Sequence, residues 1–211
     1  MKHSRKHIII LVMFSICINP LAFAEGASKT MEHQEKMLID FSSADERDQW
    51  RIINDGVMGG VSQSEIVFSD EGTAIFQGTV SLENNGGFAS TRTIPRSYNI
   101  GDYSGLVMRV KGDGQQYQVR LHTDDRFDGV SYRHHFETQS DTWMTIRIPF
   151  REFVPVFRGR ILNDVPPVSP EQIQQIGFLI ADKQAGNKHL LDLMASAKPD
   201  KKLLKIHRKQ S

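Results

Sequence analysis

Trp50-Arg-Ile-Ile-Asn-Asp-Gly-Val-Met-Gly-Gly-Val-Ser62, with its echo Asn84-Asn-Gly-Gly-Phe-Ala-Ser-Thr-Arg92, decides how this chain is read. A short apolar run, Trp50 to Ile53, leads into Asn54-Asp55-Gly56. That triplet favours a tight turn, because Asn and Asp side chains bond nearby backbone and Gly accepts positive φ. Gly59 and Gly60 then remove two side chains beside Met58 and Val61, so another backbone or a ligand can come close. Gly86 and Gly87 repeat the device ahead of Phe88. Glycine-lined bends between apolar alternations describe a strand-rich chain with shaped loops. They name no chemistry of their own.

The flanking sequence extends the β reading. Leu38 to Phe41 is expected as a first strand, and Ser43-Ala-Asp-Glu46 fits a capping box for one helical turn before Trp50. Further strands are expected at Ile66–Phe68, Ala74–Leu82, Leu106–Lys111, Tyr117–His122, Tyr132–Glu137, Trp143–Phe150 and, fully buried, Ile176–Ile180. Leu106, Met108 and Val110 share one face, as do Tyr117, Val119 and Leu121, and Met144, Ile146 and Ile148. Period-2 alternation broken by Gly, Asp or Asn is the half-buried antiparallel signal. Gly112 to Gly114 reads as a hairpin turn, and Ser169-Pro-Glu-Gln172 as a second helix start. Many short strands and few helices mean a β-sandwich or barrel.

Residues 1–24 have the form of a signal peptide: basic Lys2, Arg5 and Lys6, an apolar run from Ile8 to Ile18, and Ala22-Phe23-Ala24 before Glu25. Cleavage there implies a secreted, periplasmic chain of about 187 residues with no transmembrane segment, one domain by length. The single cysteine, Cys17, leaves with the leader, so disulfides, thiolate nucleophiles and Cys-ligated zinc are excluded. Residues 25–37 read as a polar spacer, 38–195 as the sandwich domain, and 196–211 as a basic, disordered tail. The body from Glu25 to Ala197 carries a net charge near about −7, which argues against a nucleic-acid partner.

Gly112-Asp-Gly-Gln-Gln-Tyr117 lacks the helix N-terminus that a phosphate cradle needs. His122, Asp124, Asp125, Asp128, His134 and His135 are the richest set of potential ligands, but adjacent His134 and His135 point to opposite faces of a strand. Asp124-Asp-Arg-Phe-Asp-Gly129 does not alternate oxygen ligands as a calcium loop does. No serine sits in a nucleophile elbow. Hence no catalytic residue, metal or cofactor is expected. Surface recognition is left, through two candidate sets. One is a corner built from Trp50, Asn54, Asp55, Met58, Gly59, Gly60, Gly86, Gly87, Phe88 and Arg92, braced by an Asp55–Arg92 charge pair. The other is a sheet face of Arg120, His122, Tyr132, His134, Trp143 and Arg158, whose rings and cations could grip a peptide or stack on sugars.

One further pattern spans most of the chain. Trp50, then Asn54-Asp-Gly-Val-Met-Gly-Gly60 and Ser62, Phe76-x-Gly78, Gly86-Gly-Phe-Ala-Ser90 with Arg92, Gly112-x-Gly114 with Tyr117, Ile148-Pro-Phe150 after Trp143, Phe153-x-Pro155-x-Phe-Arg-Gly159 and Ile176-Gly-Phe178 follow in order. This series resembles the complex I intermediate-associated protein 30 family, over roughly Leu38 to Leu193. The resemblance implies an all-β, jelly-roll sandwich of the galactose-binding-like type, without catalytic residues. It also implies a chaperone-like assembly factor for NADH:ubiquinone oxidoreductase, so the expected partner is a protein of a membrane respiratory complex. Gly186-Asn-Lys-His-Leu-Leu-Asp-Leu193 departs from the family's Gly-x-Phe-x-Leu ending, and a shortened or altered last strand is expected there. The alternative function is a secreted carbohydrate-binding module, with a glycan held on the aromatic sheet face.

Overall fold

The computed structural model describes residues 36–181, 183–184, 186–194 and 204–208. The leader, most of the spacer and much of the basic tail lie outside these residues. Among the described residues there are fourteen strands: β1 (Lys36–Ile39), β2 (Trp50–Ile52), β3 (Gln63–Phe68), β4 (Thr73–Val80), β5 (Ala89–Thr93), β6 (Tyr103–Gly112), β7 (Gln116–His122), β8 (Ser131–Glu137), β9 (Trp143–Pro149), β10 (Val154–Phe157), β11 (Arg160–Ile161), β12 (Gln175–Ile180), β13 (Gly186–Met194) and β14 (Leu204–Arg208). They form two seven-stranded sheets whose strands all pair antiparallel. The first runs β1-β14-β6-β13-β4-β3, with β9 on the other edge of β6; the second runs β11-β10-β8-β7-β12-β5-β2. This is the expected two-layer sandwich.

The alternations explain the layers. Leu106, Met108 and Val110 on β6, Phe76 on β4 and Leu191 and Leu193 on β13 point inward from the first sheet. Tyr117, Val119 and Leu121 on β7, and Ile176, Phe178 and Ile180 on β12, meet them from the second. Each fully buried side chain of this size contributes roughly 1.5–3 kcal/mol of transfer free energy, so the two apolar faces dominate cohesion. Strand β12 is buried along its whole length, as its unbroken apolar run requires.

Several expectations need correction. Ser43 makes no side-chain cap; residues 44–49 form a 3-10 turn, and Glu46 turns inward instead. It accepts from Trp50 Nε1 at 3.1 Å and takes a two-pronged bond from Arg96 at 2.8 and 3.0 Å. A buried carboxylate with a guanidinium and an indole beside it gains more there than at a helix end. Ser169 likewise makes no side-chain cap, and only one 3-10 turn, Pro170–Gln172, follows it. Gly112–Gly114 does turn the chain, but it passes from β6 of one sheet to β7 of the other and is no hairpin. The last family strand is not shortened: β13 runs nine residues. Nor is residue stretch 204–208 irregular. It pairs with β1 and β6, and its alternating Leu204-Lys-Ile206 is the period that a strand demands.

Candidate functional site

Asp55 sits at the meeting of the two glycine loops and is fully buried. Its carboxylate accepts from the backbone N–H and hydroxyl of Ser62, at 2.9 and 2.5 Å, and from the N–H groups of Gly87 and Phe88, at 2.7 and 3.3 Å. Burial alone would raise its pKa, but these bonds outweigh that cost and hold the carboxyl below its usual value. The paired glycines now have a reason. A Cβ on Gly60 would stand 2.4 Å from Asp55 Cγ, and one on Gly86 2.5 Å from Oδ2. Gly59 closes the turn with φ +92°, in the left-handed region. Asn54 adds a second tie, accepting from Ser64 Oγ at 2.7 Å and from the Ser90 N–H at 3.2 Å. Asn54, Asp55, Gly60, Gly86, Gly87 and Phe88 of the expected corner thus meet around a carboxylate sealed from solvent.

The expected Asp55–Arg92 pair is absent. With four donors on its oxygens, Asp55 has no need of a cation, and Arg92 turns the other way. Its Nη2 donates to the Phe127 carbonyl at 2.9 Å, its Nη1 lies 3.4 Å from His122 Nε2, and its guanidinium rests 5.5 Å from the Phe127 ring centre. Trp50 also lies apart from the corner. It is buried between Phe41, at 5.6 Å, and Phe178, at 6.2 Å between ring centres.

On the solvent side of the second sheet lies an open depression of about 600 Å³. Its floor carries Arg92 of β5, Gly177 of β12, Gln118, Arg120 and His122 of β7, and Arg133 of β8. Val57, Met58 and Phe88 from the glycine loops border it on one side; Phe127, Asp128 and Arg158 border it on the other. Val57, Met58 and Phe127 are 59%, 58% and 62% exposed, which is unusual for side chains of this kind so close together.

Cross-strand register aligns the floor. Arg51 stands opposite Arg92, Arg92 opposite Gly177, Gly177 opposite Arg120, and Arg120 opposite Arg133. Gln118 accepts from Arg120 Nε and Nη2 at 3.1 and 2.9 Å and fixes its direction. Burial, followed by the repulsion of Arg92 and Arg120, pushes the His122 pKa down to about 3, so this imidazole is neutral at ordinary pH. Burial, then Arg51, lowers the Arg92 pKa from its usual value as well. Of the acids described beside it, Asp124 holds Arg126 at 2.5 Å and Asp128 holds Arg158.

The expected sheet face is therefore divided. Arg120, His122 and Arg158 line the depression. Tyr132 faces the core, with its hydroxyl on the Pro166 carbonyl at 3.2 Å, and His134 leans on Phe153 and Glu152. Trp143 belongs to the other sheet, where β9 runs beside β6 and Arg109 and Lys111 lie over the ring at 5.5 and 5.7 Å. Arg133, Gly177, Gln118 and Phe127 went unrecognised. Arg133 had a signal: if Tyr132 and Phe136 point inward, Arg133 must point out. No group of three His, Cys, Asp or Glu side chains among the described residues is placed to hold a metal ion.

The profile of the family described as Complex I intermediate-associated protein 30 (CIA30) matches residues 39–191. The chain belongs to this family. Among curated relatives it is 28% identical, over 168 residues, to the mitochondrial complex I intermediate-associated protein 30 of Drosophila melanogaster, covering 70% of this chain and 57% of that one. It is 27% identical to the Mus musculus protein of the same name, covering 72% of this chain and 53% of that one. This CIA30 chain thus spans a little over half the length of these relatives. Both are mitochondrial by name, which overturns the periplasmic location expected from the leader. Among solved structures, it is similar to a family 11 carbohydrate-binding module of a Clostridium thermocellum cellulosomal cellulase, with TM-score 0.61 and 17% identity over 84% of this chain and 96% of that module. The agarase AgWH50C is another, with TM-score 0.55 and 10% identity over 84% of this chain and 25% of that enzyme. These likenesses establish the galactose-binding-like sandwich. They carry no ligand across.

Proposed function

We propose that this CIA30 chain is a non-catalytic binding and assembly factor, and that the depression on its second sheet is where it holds a protein partner. The relatives' names point to intermediates of respiratory complex I as that partner. The observation that carries the reading is the cluster of exposed Val57, Met58 and Phe127 on the rim of a hydrogen-bonded sheet. Apolar side chains ringed by polar ones, beside a hydrogen-bonded floor, suit a recurrent protein contact. Interface aromatics and methionines supply much of the binding free energy when a partner covers them.

The carbohydrate reading has less support, because it rested on an aromatic sheet face. Tyr132 and Trp143 lie away from the depression, so neither can stack on a sugar held there. The test is crosslinking and affinity capture from membranes containing complex I intermediates. Wild-type chain should retain complex I subunits, and Met58→Asp with Phe127→Asp should lose them while remaining folded. Equal capture by this double variant, or no capture by the wild type, would reject the proposal.

A further inference from the structure

Strand β9 (Trp143–Pro149) has a paired neighbour on one side only. Its seven residues run beside β6 without a register shift, and among the described residues no further hydrogen bond reaches them. The other outer strands are short or covered. β1, β2 and β11 run four, three and two residues, and Asn54 lies against β3, where it accepts from Ser64 Oγ at 2.7 Å. Short length, a bulge or an inward-pointing charge blunts an open sheet edge, and β9 has none of the three.

The register says which of its backbone groups are free. In an antiparallel pair, successive residues direct their N–H and C=O alternately toward the neighbour and away from it. A Cβ on Gly105 would stand 2.5 Å from the Ile148 carbonyl oxygen, so Ile148 directs its backbone to β6. Met144 and Ile146 do the same, and the N–H and C=O groups of Trp143, Thr145 and Arg147 face the open side. Pro149 falls in that second set, where its missing N–H takes nothing from the ladder. Side chains repeat the contrast. Thr145 and Arg147 are exposed, whereas Met144 and Ile146 stay half-buried at the margin of the core.

We infer that β9 is a self-association edge, at which a second copy of the chain adds its own β9, antiparallel, about a two-fold axis at Thr145. The strand is complementary to itself in that register. Thr145 meets Thr145, Trp143 meets Arg147, and Met144 meets Ile146. These are favoured cross-strand pairs: hydroxyl with hydroxyl, ring with cation, apolar with apolar. Each open-side N–H of residues 143, 145 and 147 then finds a carbonyl of the other copy, and no donor is asked of Pro149. No two like charges stand directly opposite. The first sheets of the two copies become one, and the margin at Met144 and Ile146 is covered. An unrelated strand would meet the same backbone but not the same side-chain match, which favours a second copy. Nothing in the depression takes part, so this inference is independent of the assembly reading.

The test is sedimentation velocity of the full chain over a micromolar concentration series, which should show a monomer–dimer equilibrium. Thr145→Pro removes the central open-side N–H from both copies, leaves the bonds to β6 in place, and should weaken dimerisation about tenfold or more. A thermal melt checks that this variant folds. Met58→Asp, at the depression, should dimerise as the wild type does. Added salt should not weaken the dimer, because no ion pair crosses the seam. A crosslink in Cys17→Ser chains reads the register directly. With a mild oxidant, Thr145→Cys should give a disulfide dimer, since the two Cα atoms would stand about 5.5 Å apart. Arg147→Cys should not, because the same register holds its two Cα atoms more than about 13 Å apart. A monomer throughout, undiminished dimerisation of folded Thr145→Pro, loss of the dimer with salt or with Met58→Asp, or equal crosslinking at both positions would overturn the inference.

Discussion

Two charged sites lie within one sheet's reach, and they are handled in opposite ways. Asp55 is a single anion with four donors on it, closed over by glycines that leave no room for a ligand. The arginine row is a set of like charges aligned by register across the solvent side of the second sheet, beside Asp124 and Asp128, which hold Arg126 and Arg158. A charge satisfied from every side serves folding. Like charges set opposite one another across paired strands cost the sheet cohesion instead.

That contrast can be broken most forcefully at the closed site. Asp55→Ala should cost about 3–5 kcal/mol in urea unfolding, because it strands the buried N–H groups of Ser62, Gly87 and Phe88. A loss under about 1 kcal/mol would show the two loops stand without their carboxylate. Glu46→Ala should follow at about 2–3 kcal/mol by the same measurement, since Arg96 and Trp50 Nε1 both lose their acceptor.

The pH dependence probes the boundary between the two sites. His122 titrates near about 3 in the folded chain, against about 6.5 unfolded. The unfolded chain therefore takes up this proton first as pH falls. Stability should be unaffected by His122 above about pH 6.5 and should decline toward pH 3 at up to ~1.4 kcal/mol per unit. Asp55 adds to the loss only at lower pH, where its stabilising ionised form is titrated. His122→Asn should flatten the profile between about pH 4.5 and 6.5, measured by thermal melts across that range. The smallest effect belongs to the open row. Arg133→Gln should raise stability by a few tenths of a kcal/mol, up to ~1, by relieving the pair with Arg120. A fall in melting temperature would mean the row braces the sheet.

The layers were legible because Tyr117-x-Val-x-Leu121 and Leu106-x-Met-x-Val110 alternate cleanly, and each alternation buried the side it named. β5 was harder to see, since Ala89-Ser-Thr-Arg-Thr93 has little apolar contrast between its faces. β10 escaped through Pro155, a residue that argues against a strand unless it lies near an edge. The corner was found and its chemistry misread. Asp55 next to paired glycines suggested a ligand loop, whereas the missing side chains make space for the carboxylate itself. Arg92 and Arg120 were named but not joined, because positions 92, 120, 133 and 177 are brought into line only by the pairing of four strands. Trp143 had the right direction and the wrong sheet, a choice that alternation within one strand cannot make.

The pairing of β1 with β14 sets a schedule on the ribosome. Lys36 faces Ile206, so the first described strand must wait for roughly 170 further residues before its neighbour is made. Until then β1 has no place in its sheet, and the β6 edge that β14 covers stays bare. During translation that uncovered edge is a place where a foreign strand could add, and a chaperone meeting the nascent chain would find its natural target there.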